Sequence, residues 1–103
     1  DAAVQAVLAK VELAGRDPAL AIAAADRALA ADPRHVGAMI TRGRALMLQA
    51  RGRGAGADWA EVRRWLVRSN RADTENAEPL FLFYRSFVEA GQKPTADAVK
   101  GLH

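Results

Sequence analysis

Asp32 and Pro33 separate two stretches that each read as helix, and this break limits what the chain can become. Proline has no amide proton and pushes the residue before it away from helical dihedrals, so a helix running up to Ala31 must stop there. Upstream, Ala21, Ala25 and Ala28 recur on one helical face with Leu29 beside them. Such small residues let a neighbouring helix approach closely. Downstream, after Arg34 and His35, a second amphipathic run begins and carries Arg42-Gly43 followed by Ala45-Leu46. The stretch from Ala19 to Arg44 is thus helix, tight turn and helix, and the fold it predicts is all-α.

The rest of the chain repeats this grammar. Val4, Val7, Leu8, Val11 and Leu13 place a first helix over Ala2 to Ala14, ended by Gly15. Asp17 is the expected N-cap and Pro18 the first residue of a second helix reaching Ala31. A third spans about Val36 to Ala50. The Gly/Arg-rich run 51–57 reads as a flexible, solvated insertion. A fourth helix, Asp58 to about Arg71, is expected to bury Trp59, Val62, Trp65, Leu66 and Ser69. A fifth, about Ala77 to Ala90, is apolar over much of its circumference through Leu80, Phe81, Phe83, Tyr84, Phe87 and Val88, so it should be flanked on two sides. Gly91 to Pro94 reads as a turn, with Thr95 capping a sixth helix cut short at the end of the sequence.

With 103 residues the chain is one domain at most, and its 50% apolar and 26% charged residues are ordinary for a globular protein. There is no cysteine, which removes disulfides and thiolate metal sites. No run of about 18 apolar residues offers a membrane-spanning helix, and the N-terminus does not read as a signal peptide. The compartment stays open, with the cytoplasm slightly favoured. A start at Asp1 and an end inside a helical pattern read as a piece of a longer protein, and heavy use of alanine and arginine hints at a GC-rich bacterial source. The net charge is +3. Most of the excess lies in Arg51, Arg53, Arg63, Arg64, Arg68 and Arg71, set against Asp58 and Glu61.

In phase, these units resemble the tetratricopeptide repeat family. Leu8, Ala9, Ala21 and Ala28, then Gly43, Ala45 and Leu46, follow that family's order of large and small packing residues, and Pro33 stands where its units end. Asp58-Trp59-Ala60-Glu61-Val62 resembles the opening of its second helix, and Asp73-Thr74 replaces the closing Asp-Pro. Pro33 to Thr74 is 41 residues (74 − 33) against a family period of about 34, so the second unit has gained about seven in its loop. Arg42, Glu12 and Tyr84 depart from the pattern, since leucine, an aliphatic or aromatic residue, and a small residue are usual there. The resemblance implies an α-solenoid of about three antiparallel helix pairs, the last truncated. Its units are 2–35, 36–76 with the insertion 51–57, and a partial 77–103.

Nothing in the chain spells catalysis. His35 and His103 are the two histidines, one in a turn and one at the terminus, and no spacing of His, Asp and Glu matches a metal site. Ser69 and Ser86 have no histidine placed to activate them. Gly52, Gly54 and Gly56 lack the preceding strand and following Lys-Ser/Thr of a phosphate-binding loop. No enzyme activity, metal or cofactor is expected. Arg64, Arg68 and Arg71 share a face of helix four and read first as a solvated surface, with RNA binding a third-ranked function.

The resemblance also implies a site. In this family the first helix of each pair lines a concave surface. Carried over, Lys10, Arg44 and Arg85 form a basic column there, with Val7, Leu13, Ile40, Met47, Phe81 and Val88 beside it. Cations with apolar sockets suit a protein or peptide segment bearing acidic residues. Relatives that grip a terminal carboxylate also use asparagines on this face, and none is present here. The expected function is a protein-interaction scaffold. The alternative is a structural arm packing on another domain of the parent protein. Self-association through the truncated C-terminal end is also expected, with Phe83, Phe87, Val99 or Leu102 left partly exposed.

Overall fold

A computed structural model describes residues 1–92. It contains five helices: α1 (Ala2–Ala14), α2 (Pro18–Ala31), α3 (Val36–Arg53), α4 (Trp59–Ala72) and α5 (Glu78–Glu89), with one 3-10 turn at Gly54–Gly56 and no strand among the described residues. Each start has a local cause. The carboxylates of Asp1, Asp17 and Asp58 accept from the amides of Val4, Leu20 and Glu61, so three helices open on an aspartate N-cap. α3 opens differently, on His35, whose Nδ1 accepts from the Ala38 amide at 3.1 Å.

The helices pack in sequence order, α1 on α2, α2 on α3, α3 on α4 and α4 on α5, while α3 also touches α1 and α5. α3 is therefore the spine. On its N-terminal side the interior is made of alanine. Ala9, Ala21, Ala24, Ala25, Ala28 and Ala38 have no exposed surface, as the small-residue face of α2 predicts. On the other side lies a bulkier core of Ile40, Met47, Val62, Leu66, Leu82, Phe83 and Phe87. Gly43 joins α3 to α4: a Cβ built there would stand 2.9 Å from Leu66 Cδ2.

Polar links tie each helix to the next. Arg27 Nε donates to Gln5 Oε1 between α2 and α1, and Arg42 Nε to Asp26 Oδ1 at 2.7 Å between α3 and α2. Arg63 holds α5 to α4. Its guanidinium lies 3.8 Å from the centre of the Phe87 ring and donates to Ser86 Oγ and Gln92 Oε1, and burial lowers its pKa from the ordinary arginine value.

Four expectations change. α3 does not end at Ala50 but runs to Arg53, because Arg51 reaches across to Glu89 of α5 at 2.7 Å and anchors the extra turn. The irregular part of the insertion shrinks accordingly. Trp65 is not a core residue. It lies half-buried at the surface, where the guanidinium carbons of Arg42 and Arg68 stand 4.4 and 4.9 Å from its ring and its Nε1 donates to Glu61. Phe83 and Phe87 are buried, since they face α3 and α4; the open face of α5 carries Phe81, Tyr84 and Val88 instead. Ser69 is buried as expected, and Trp59 only partly. The sixth helix, with Val99 and Leu102, lies outside the described residues.

Candidate functional site

A large recess among the described residues follows from the spine arrangement. α1 and α5 both lean on α3, and a groove of about 840 Å³ opens between the end of α1, the first half of α3 and the α4–α5 turn. Lys10, Leu13 and Ala14 come from α1, and Arg16 from the α1–α2 turn. Val36, Gly37, Ile40, Thr41 and Arg44 come from α3, and Asp73, Asn76 and Glu78 from the far wall. A smaller bay of about 230 Å³ continues it past Met47, Leu48, Arg51, Leu82 and Arg85. The two share Leu13, Arg16 and Arg44, which makes them parts of one groove.

The residues expected on the concave face divide between groove and rim. Lys10, Leu13, Ile40 and Arg44 line the main recess, and Met47 and Arg85 line the smaller bay. Ile40 and Met47 are buried core residues that show the groove only an edge. Val7, Phe81 and Val88 line neither recess. Val7 stands 61% exposed with Val4 and Val11 on the outer face of α1, and Phe81 and Val88 project 63% and 73% exposed from the outer face of α5. Val7 lies one turn before Lys10, and Phe81 and Val88 one turn to either side of Arg85, so they share those residues' sides of the helices without lining either recess.

Charge in the groove is less uniform than a basic column. Arg44 Nη2 pairs with Glu78 Oε2 at 2.7 Å, and Arg85 Nε with Glu89 Oε1 at 3.2 Å. Both pairs are partly solvent-exposed, so each is a weak restraint that a competing carboxylate can exchange. Lys10 and Arg16 have no ion pair among the described residues. The Thr41 side chain, on a residue 3% exposed on the floor, makes no hydrogen bond among them either. Arg16 is the residue that sequence reasoning missed. It lies in a turn, outside the helical spacing that selected the others, and its only signal was a cation directly after Gly15.

On the α4 side the arginines are only partly engaged: Arg68 lies over Trp65, and the exposed Arg71 has no ion pair among the described residues. Arg42 pairs with Asp26 and stands 3.7 Å from Glu61, and Arg64 pairs with Glu61 at 3.0 Å. Among the described residues no group of His, Cys, Asp and Glu is placed to hold a metal ion, and no helix is long and apolar enough to cross a membrane. Comparison with family models, with curated proteins and with solved structures finds no match to this chain.

Proposed function

We propose that the chain is a tetratricopeptide-type protein-interaction module, without catalytic activity, that holds an extended or helical segment of a partner protein in the groove along α3. The observation that carries this reading is the groove itself: a preformed channel with an apolar floor of Leu13, Val36 and Ile40 and cationic residues Lys10, Arg16 and Arg44 around it. An apolar floor supplies affinity, and cations at the rim select a segment that carries acidic side chains. Sequential helix pairs with α3 touching both α1 and α5 support the repeat assignment, since stacked units of that family bury their faces against neighbours in this manner. The α4 face of Arg64, Arg68 and Arg71 favours RNA less, because Arg64 already has a carboxylate partner and Arg68 lies over Trp65, which leaves Arg71 alone of the three without such a contact among the described residues.

Selection from a displayed library of random peptides, followed by amide-shift mapping on the labelled protein, tests the reading. Selected peptides should be enriched in Asp or Glu next to leucine-like residues, and should shift the amides of Leu13, Ile40, Thr41 and Arg44. Peptides that instead shift Trp65, Arg68 and Arg71 would move the site to the α4 surface.

A second reading has its own observation. Val4, Val7 and Val11 on α1 and Phe81, Tyr84 and Val88 on α5 form apolar stripes on the outer faces of the two end helices. Stripes of this kind suit a module whose ends pack on other protein surface, as in a structural arm or in self-association.

A further inference from the structure

We propose that Arg16 is the ligand-reading cation of the groove, and that the group it reads is a single carboxylate on the bound segment; this rests on the groove reading above. The starting point is the backbone. Arg16 is the one non-glycine residue with positive φ among those described, at 60°. It closes α1 in a defined pattern: Gly15 N–H donates to Val11 O, Arg16 N–H to Leu13 O and Asp17 N–H to Glu12 O. The end of α5 repeats it bond for bond, with Ala90 N–H to Ser86 O, Gly91 N–H to Val88 O and Gln92 N–H to Phe87 O. There the corresponding residue is Gly91, with φ 72°.

The molecule therefore uses the same helix closure twice. At α5 it places glycine, which takes the left-handed conformation without a steric penalty; at α1 it places arginine, which does not. Nothing in the folded chain accounts for that choice. The Arg16 side chain has no ion pair and no hydrogen bond among the described residues, and it is exposed. What the side chain does have is a position: it lines both bays of the groove. Strain held at a recess by a residue with no structural partner points to recognition.

The surrounding charges set the ligand class. Arg44 and Arg85 are each paired with a carboxylate. Lys10, also unpaired among the described residues, stands on the same wall as Arg16. Asp73 lines the same groove from the α4–α5 turn, and Glu78 from the start of α5, its carboxylate already paired with Arg44. With Glu78 paired, Lys10 and Arg16 against Asp73 leave one net positive charge, which matches a monoanion and leaves the second charge of a phosphate without a partner.

The test uses pools of short acetylated, amidated peptides with random neighbours around one fixed residue: glutamate, glutamine or phosphoserine. Each pool is titrated into labelled wild type, Arg16→Gly, Arg16→Lys and Arg44→Gln, with thermal melting of every variant. The glutamate pool should shift groove amides in wild type and bind about five- to tenfold more weakly to Arg16→Gly. Arg16→Lys should retain most of the binding, and Arg44→Gln should lose less than Arg16→Gly. Arg16→Gly should melt no lower than wild type, and by up to a few degrees higher, so lost binding cannot be lost folding. Unchanged glutamate binding by Arg16→Gly, with the groove still occupied, overturns the role of Arg16 and leaves the groove reading standing. Tighter binding of the phosphoserine pool overturns the carboxylate assignment. A lower melting point for Arg16→Gly would show that the arginine is structural, and no groove shift with any pool overturns both readings.

Discussion

Gly43 is a position of close approach between α3 and α4, and it shows how little slack a single residue has here. An added methyl would meet Leu66 Cδ2 at 2.9 Å, and Leu66 has no exposed surface into which to swing. Gly43→Ala should therefore destabilise the fold by about 1–3 kcal/mol despite alanine's better helix propensity, as overpacked cores do. Urea unfolding measures it, and a variant as stable as wild type would mean that the interface can open. Ala24 and Ala25 pose the same problem in α2, since neither has any exposed surface.

At the scale of the element, the openings of the helices carry separable energies. α3 depends on an uncommon cap, the His35 imidazole, accepting from Ala38. His35→Ala should cost about 1 kcal/mol, while His35→Asp, which restores an acceptor of the kind used by α1, α2 and α4, should cost less. Denaturation midpoints of the two variants decide it; equal losses would show that the imidazole acts through packing on Gly37. Most of this level was legible in the sequence. Helix signals are local, and Gly15, Asp17-Pro18, Asp32-Pro33 and Asp58 mark boundaries by their own chemistry. What escaped was decided by distant partners. α3 gains its last turn from Glu89, 38 residues away, and Trp65 is drawn to the surface by Arg42 from another helix. The groove was half legible for the same reason. Helical spacing identifies a column such as Lys10 and Arg44, but not that Glu78 folds over to pair with Arg44. Nor does it point to a turn residue such as Arg16.

Across the whole molecule, stability is a chain of neighbour interfaces meeting on α3, and α1 and α5 do not touch one another among the contacts that join the elements. Native-state hydrogen exchange should rank the amides of α3 slowest, with α1 and α5 exchanging faster through local opening. Equal protection in all five helices would contradict this and indicate a single cooperative block. The end faces also suggest how the ends would be used: Val4, Val7 and Val11 at one and Phe81 and Val88 at the other are separate surfaces, so burying one leaves the other free. The division of the interior into an alanine side and an aromatic side has a thermal consequence. Apolar surface sets the heat capacity of unfolding, so the α3–α5 half, built on Leu66, Phe83 and Phe87, changes strength more steeply with temperature than the alanine-lined α1–α2 half. Cooling toward freezing should then weaken α5 relative to α1. Which end loosens first is thereby a property of the thermometer as well as of the fold.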